Sequence, residues 1–129
     1  MKNKIRLGIL GGGGDSLIGI VHRIASSMHD SYEIIGGVFN PDFSENLKFA
    51  EEIGLNKNRI YKDYEKMIDE ELKLDEDKRI QVVSILTPNF LHYPMAKKLL
   101  ENNFNVICEK PMTTTYEEAR DLENIYKSK

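Results

Sequence analysis

Apolar residues along this chain fall into two alternating patterns. Short compact runs alternate with segments whose apolar positions recur every three or four residues. Ile5 to Leu10 is the first compact run and reads as a buried strand, broken by Gly11 to Gly14. Beyond the glycines, Leu17, Ile20, Val21, Ile24 and Met28 recur at helical spacing. Tyr32 to Phe39 is rich in strand-forming residues and reads as a second strand, after which Pro41 and Asp42 turn the chain. Leu47, Ala50 and Ile53 mark a face of a second helix, and Gly54 suits its C-terminal position because glycine adopts a left-handed conformation without a Cβ penalty. Arg59 to Tyr61 reads as a short third strand. Asp63 can cap a third helix with Tyr64, Met67, Ile68 and Leu72 on its apolar face. Ile80 to Leu86 is a fourth strand, apolar along most of its length as a central strand should be, and Thr87-Pro88-Asn89 ends it. Met95, Ala96, Leu99 and Leu100 mark a fourth helix. Asn105 to Cys108 is a fifth strand. Thr115 and Glu118 have capping-box spacing and open a fifth helix, with Ala119, Leu122 and Tyr126 expected to face inward.

Five strands alternating with five helices predict an α/β fold. The sheet is parallel and doubly wound, with helices on both faces in three layers, and the expected strand order is 3-2-1-4-5. Ligands of such sheets bind beyond the carboxyl ends of the strands, where the order reverses. Three features fall at carboxyl ends: the glycine run, Thr87-Pro88-Asn89 and Glu109-Lys110-Pro111.

Composition adds little except exclusions. The 129 residues suit one domain, residues 1–129, large enough to fold without disulfides or metals. A net charge of −3 gives no reason to expect nucleic acid as a partner, and the scattered Lys and Arg do not suggest a membrane-surface helix. The single cysteine, Cys108, fits a reducing, cytoplasmic setting and reads as an inert packed thiol. The opening MKNKIRLGIL is too short in apolar residues for a signal peptide, and no segment approaches the ~20 apolar residues of a membrane span. No Cys/His cluster has zinc-ligand spacing. His22 and His29 read as surface residues, and Glu51-Glu52 and Glu70-Glu71 as solvated faces.

The glycine run carries the first chemistry. Glycines let the backbone approach a pyrophosphate closely, and the N–H groups and positive dipole end of the following helix hold the anion. Gly11, Gly12, Gly13, Gly14, Asp15 and Ser16 are therefore the candidate phosphate loop. Gly11 and Gly13 fit the first two glycines of a G-x-G-x-x-G pattern. Ser16 takes the third place, and the next glycine, Gly19, is expected to pack the helix against the sheet. A branched side chain at Gly13 is expected to intrude on the phosphates. No Gly-Lys-Ser/Thr follows, which excludes a P-loop. The loop suits NAD or NADP, and by itself an S-adenosylmethionine site as well. At the end of the second strand, an acidic residue would bind the ribose hydroxyls and repel a 2′-phosphate. Asn40 stands there, with neither that charge nor a nearby Arg or Lys to grip a phosphate, which favours NAD by a small margin.

The run VSILTPNFLHYPMAKKLLENNFNVICEKPMTTT resembles the glucose–fructose oxidoreductase, inositol dehydrogenase and MocA family (Gfo/Idh/MocA), and GILGGGGDSLIGIVHRIA resembles a branch with an extended glycine loop. The resemblance covers essentially the whole chain. It implies the Rossmann-type cofactor domain of an oxidoreductase that moves a hydride between nicotinamide and a hydroxyl-bearing carbon of a sugar or polyol. It implies a catalytic role for Lys110, a site shaped by Glu109 and Pro111, and a cofactor lined by Thr87, Pro88, Asn89 and His92. A lysine beside a nicotinium ion feels a like charge that favours release of its proton, and it can stabilise a developing alkoxide. Family members run to more than twice this length, so a substrate domain and a sixth strand are expected beyond this chain. Without that strand, self-association through the fifth strand is expected, giving a homo-oligomer. Two other readings stay open on the residues alone: a non-catalytic nucleotide-binding or redox-sensing module, and an S-adenosylmethionine-binding domain.

Overall fold

A computed structural model describes residues 3–129; Met1 and Lys2, at the basic opening, lie outside the described residues. β1 (Ile5–Gly11), β2 (Tyr32–Val38), β3 (Val82–Leu86) and β4 (Asn105–Cys108) form a parallel sheet in the order β2-β1-β3-β4. Parallel strands need long crossovers, and α1 (Leu17–Ser27), α2 (Phe43–Glu52), α3 (Tyr64–Glu71) and α4 (His92–Glu101) supply them, while α5 (Tyr116–Lys127) follows β4 and packs on α4. The order reverses between β1 and β3, so the glycine loop after β1 and the turn after β3 stand side by side.

Successive strand residues point to opposite faces, and β1 shows both. Leu7 and Ile9 pack with Phe39, Phe49, Ala50 and Ile60 on the α2 side. Leu10 packs with Val83, Ile85, Met67, Ile68, Leu99 and Leu122 on the side of α3, α4 and α5. The helix starts follow local chemistry. Ser16, Asp42, Asp63 and Thr115 each accept the backbone N–H three residues on, satisfying a donor that the first turn leaves free.

The structure departs from the sequence reading in four places. The expected third strand does not form. Lys57–Arg59 is a 3-10 turn, and Ile60 makes a single parallel bridge to Gly37 on the outer side of β2. The sheet therefore has four strands, with this bridge where an edge strand was expected. The physical reason is lack of length. The Asn56 side chain turns the chain by accepting the Asn58 N–H, and Asp63 already caps α3, so little extended backbone remains between them. The next strand starts at Val82 rather than Ile80, because the Ile80 N–H is taken by a Glu71 carboxylate oxygen at 2.7 Å.

That carboxylate is the second departure. Glu71 is fully buried rather than solvated. It accepts two bonds from Arg59, at 2.9 and 2.8 Å, and one from the Tyr61 hydroxyl at 2.6 Å, in addition to Ile80. Burial, and then the neighbouring Glu71 carboxylate, pushes the Tyr61 phenol well above its usual range. Third, the apolar stripe of α1 faces outward: Leu17 is 77% and Met28 68% exposed, and the helix meets the sheet through buried Gly19. Fourth, Tyr126 of α5 is 70% exposed, whereas Leu122 enters the core as expected.

Candidate functional site

A cleft of about 450 Å³ opens at the carboxyl ends of β1, β2 and β3. Gly11, Gly12, Gly13 and Ser16 form its floor, Asn40 and Pro41 one flank, and Thr87 and Pro88 the other. Three of the stretches singled out in the sequence thus meet at the switch point. The wall between them is mainly apolar, with Val38, Leu86, Leu91 and Met95 exposing carbon to the opening. An apolar cleft with polar groups at fixed points suits a ligand carrying flat rings joined by an anionic link.

The loop is bound to its surroundings at several points. The Gly13 N–H donates to the Phe39 carbonyl at 3.2 Å, joining the loop to the end of β2. Gly11, Gly12 and Gly14 have positive φ, which lets the chain fold back into α1 within a few residues. A Cβ at Gly13 would stand 2.7 Å from the Phe39 carbonyl oxygen. A side chain there would therefore strike the end of β2, not the phosphate position that the sequence alone suggests. Gly14 and Asp15 are exposed at the loop tip, away from the cleft wall.

Asn40 lies on the cleft flank, but its side-chain oxygen is committed. It accepts the Asp42 N–H at 2.8 Å, which leaves the amide NH2 as the group free to meet a ligand. A donor there suits an acceptor oxygen on ribose or phosphate. Lys62 and Tyr64 also line the cleft. Lys62 is the cation that a search of the residues following Asn40 misses, because the fold delivers it from 22 positions later, just before α3.

The remaining sequence candidates divide. Asn89 is exposed and opens a 3-10 turn, Asn89–Leu91, that leads into α4. His92 is buried, 1% exposed, and does not line the cleft. Its Nδ1 lies 2.7 Å from the Pro111 carbonyl oxygen and its Nε2 2.8 Å from that of Thr87. It thereby ties the turn after β3 to the Glu109-Lys110-Pro111 segment after β4. Lys110 is exposed beyond the end of β4, on the same edge of the sheet as the cleft but outside its wall. Glu109 is half-buried, and its carboxyl is held below the usual range, first by a hydrogen bond from His22. Burial and the adjacent Glu109 push the Cys108 thiol up to about 11, so at neutral pH it stays a thiol and a poor nucleophile.

Sequence reading also missed two groups that support the loop. Arg23 of α1 donates to the Gly12 carbonyl at 2.6 Å while stacking 4.9 Å over the Phe49 ring. Asn46 of α2, fully buried, accepts the Phe39 N–H and donates to the Tyr61 carbonyl, each at 2.9 Å. Polar side chains on an otherwise amphipathic helix read as surface until the fold shows what they bond.

Comparison with known proteins bears on this arrangement. Residues 5–129 match the family model for the Gfo/Idh/MocA oxidoreductase family, NAD-binding Rossmann fold. The chain is 34% identical over its whole length to the uncharacterized oxidoreductase YfiI of Bacillus subtilis, of which it covers 33%. Among solved structures, an oxidoreductase from Pseudomonas syringae superposes with a TM-score of 0.94 at 36% identity, covering 99% of this chain and 35% of that one. An inositol dehydrogenase homolog from Azotobacter vinelandii, complexed with NAD+, superposes with a TM-score of 0.92 at 35% identity, covering 98% of this chain and 32% of its own. The same homolog has also been solved with NADH and myo-inositol. The chain thus spans about a third of the length of these relatives.

Proposed function

The chain belongs to the Gfo/Idh/MocA oxidoreductase family as its NAD-binding Rossmann-fold domain, and on that premise we propose that it lays a nicotinamide dinucleotide across the switch-point cleft for hydride exchange with a sugar or polyol. The observation that carries this reading is the cleft itself, with a glycine floor between two strand-end turns. The pyrophosphate rests on Gly11 to Ser16 at the start of α1. The adenosine half lies towards Asn40, Lys62 and Tyr64, and the nicotinamide half towards Thr87 and Pro88. NAD is the preferred form, in keeping with the NAD+ and NADH bound to the Azotobacter homolog. Lys62 and the Asn40 amide give NADP a foothold that a carboxylate at position 40 would deny.

The nicotinamide, when bound, accepts or donates the hydride. The chain's part is to position and to move a proton. β4 adjoins β3, so Lys110 stands one strand away from the nicotinamide flank. Lys110 takes the hydroxyl proton of the substrate as the carbon gives up its hydride, and returns it in the reverse direction. The ammonium charge that forms as the proton moves also stabilises the developing alkoxide. The myo-inositol bound to the Azotobacter homolog supports a polyhydroxylated substrate class.

Two measurements test this. Calorimetric titration of the chain with NADH, NADPH and S-adenosylmethionine is expected to show nicotinamide binding; binding of S-adenosylmethionine alone would overturn the reading. In a full-length protein carrying this domain, Lys110→Ala is expected to cost roughly two to four orders of magnitude in turnover. NADH affinity should change little, and full activity in that variant would remove Lys110 from the chemistry.

A further inference from the structure

Glu109 precedes Lys110, and its carboxylate is shared between two partners. Oε1 lies 2.7 Å from Nε2 of His22 on α1, and Oε2 accepts the backbone N–H of Lys110 at 3.2 Å. The Glu109 N–H itself donates to the Ile85 carbonyl of β3 at 3.1 Å. The backbone just before Lys110 is thus held from β3, and the side chain of Glu109 is held from α1, 87 residues away in sequence. His22 and Glu109 are 20% and 26% exposed, so water reaches the pair without filling the space between them.

The surroundings leave Glu109 with few competitors. Leu7, Ala25, Ser26, Tyr32, Ser84 and Ile107 share the shallow hollow beside His22, and the Tyr32 phenol is the one ionisable side chain among these six. The neighbouring cation of α1, Arg23, is turned away to Gly12 and Phe49. On the far side of the motif, His92 faces the Thr87 and Pro111 carbonyls, and Asp121 of α5 is taken by Tyr93 and Lys97. The titratable groups acting on Glu109 are His22 and Lys110.

We infer that His22 is a positioning residue for Lys110, acting through Glu109. The inference rests on the reading of Lys110 as the proton-transfer group. A lysine carries its ammonium on a long flexible stem, so its aim depends on how firmly its backbone is set. Most of the gain in proton transfer comes from holding donor and acceptor in line, and a displacement near 1 Å can cost as much as ~100-fold. His22 fixes the carboxylate, the carboxylate holds the Lys110 N–H, and the strand end that presents Lys110 is fixed from both faces of its backbone. A plain structural tie between α1 and β4 would act differently, since its loss would loosen the whole of β4.

The test uses the labelled 129-residue chain as wild type, His22→Ala and His22→Gln, with three readouts. In His22→Ala, exchange of the Lys110 amide should quicken by about three- to tenfold, the range for losing one modest hydrogen bond. The Glu109 carboxyl, followed by carbon NMR, should titrate nearer the usual glutamate range. The Asn105 amide, bonded to the Gln81 carbonyl at the other end of β4, should keep its protection. His22→Gln retains a donor of similar reach and should restore both Lys110 protection and the Glu109 titration. In a full-length protein, His22→Ala should lower kcat by roughly tenfold at unchanged KM for NADH, with His22→Gln recovering most of it. Unchanged Lys110 exchange and Glu109 titration in His22→Ala would overturn the inference. So would equal loss of protection at Asn105 and Lys110, which would mark a purely structural tie. Failure of the wild-type chain to bind NADH would instead strike the cofactor reading, and leaves the exchange result separately readable.

Discussion

Gly19 of α1 lies so close to Gly12 that a Cβ built on it would stand 1.8 Å from the Gly12 carbonyl oxygen. The helix therefore seats on the glycine loop itself. The same carbonyl takes the Arg23 guanidinium, so Gly12 is gripped from two successive turns of α1. Gly19→Ala forces the helix off the loop, and the obstruction is backbone, which cannot swing aside. A loss of about 2–3 kcal/mol is expected from overpacking of this kind, together with weaker NADH binding. Urea denaturation and calorimetry would measure both, and a variant with wild-type midpoint and affinity would contradict this packing.

Gly13→Val should weaken NADH binding by displacing the loop from the end of β2, since its Cβ meets the Phe39 carbonyl. The prediction distinguishes this from direct obstruction of the phosphates. Amide shifts of Phe39 and Asn40 should move in the variant before any cofactor is added. If they stay in place while binding is lost, the side chain acts on the ligand instead.

Cofactor choice should respond to both groups at the adenosine end. Asn40→Asp adds a ribose acceptor and a charge opposed to a 2′-phosphate, so the NADH-to-NADPH affinity ratio should rise. Lys62→Ala removes a cation that lines the cleft and should raise the same ratio by weakening NADPH alone. Calorimetric titration with both cofactors checks each variant, and a ratio indifferent to Lys62 would remove that lysine from the 2′ end.

Glu71→Ala should destabilise the chain by about 3 kcal/mol, as removal of one partner from a buried ionic network does. The change strands the Arg59 guanidinium, the Tyr61 hydroxyl and the Ile80 N–H together. Chemical denaturation gives the number, and an unchanged midpoint would show that water replaces the carboxylate at little cost.

The packing of α5 on α4 should depend on pH. The Tyr93 hydroxyl, at 2.5 Å, and then the Lys97 ammonium, at 2.9 Å, hold the Asp121 carboxyl below its ordinary range. A carboxyl lowered in the folded state stabilises fully above the ordinary aspartate range, and that contribution fades as pH falls through the lowered value. Amides of α5 should therefore lose protection relative to β1 below about pH 4. Asp121→Asn should flatten that dependence, and an α5 protection profile independent of pH in the wild type would refute it. The groups are well exposed, so the effect is modest and local.

What could be read from the sequence followed from local rules. Strand and helix periods, the capping residues Asp63 and Thr115, and the glycine break after β1 depend on neighbours within a few positions. They placed all five helices, four of the strands and the floor of the cleft. The short Arg59–Tyr61 segment failed as a strand because extended propensity needs length to build a ladder, and the turn at Asn56 and the cap at Asp63 leave none. Periodicity likewise located the stripe on α1 but could not say what covers it, since an amphipathic pattern fixes a face and not a neighbour. The remaining decisions were tertiary. Glu71 reads as one of a solvated pair until Arg59, Tyr61 and Ile80 converge on it. Lys62 reads as a loop lysine until the fold brings it to the cleft that Asn40 also lines, and His22 as a surface histidine until β4 brings Glu109 to it. Each of these roles belongs to a meeting of residues 9 to 87 positions apart. Only closure of the chain into the sheet creates such contacts, because the energy of a charge or a hydrogen bond depends on distance in space and not on distance along the sequence.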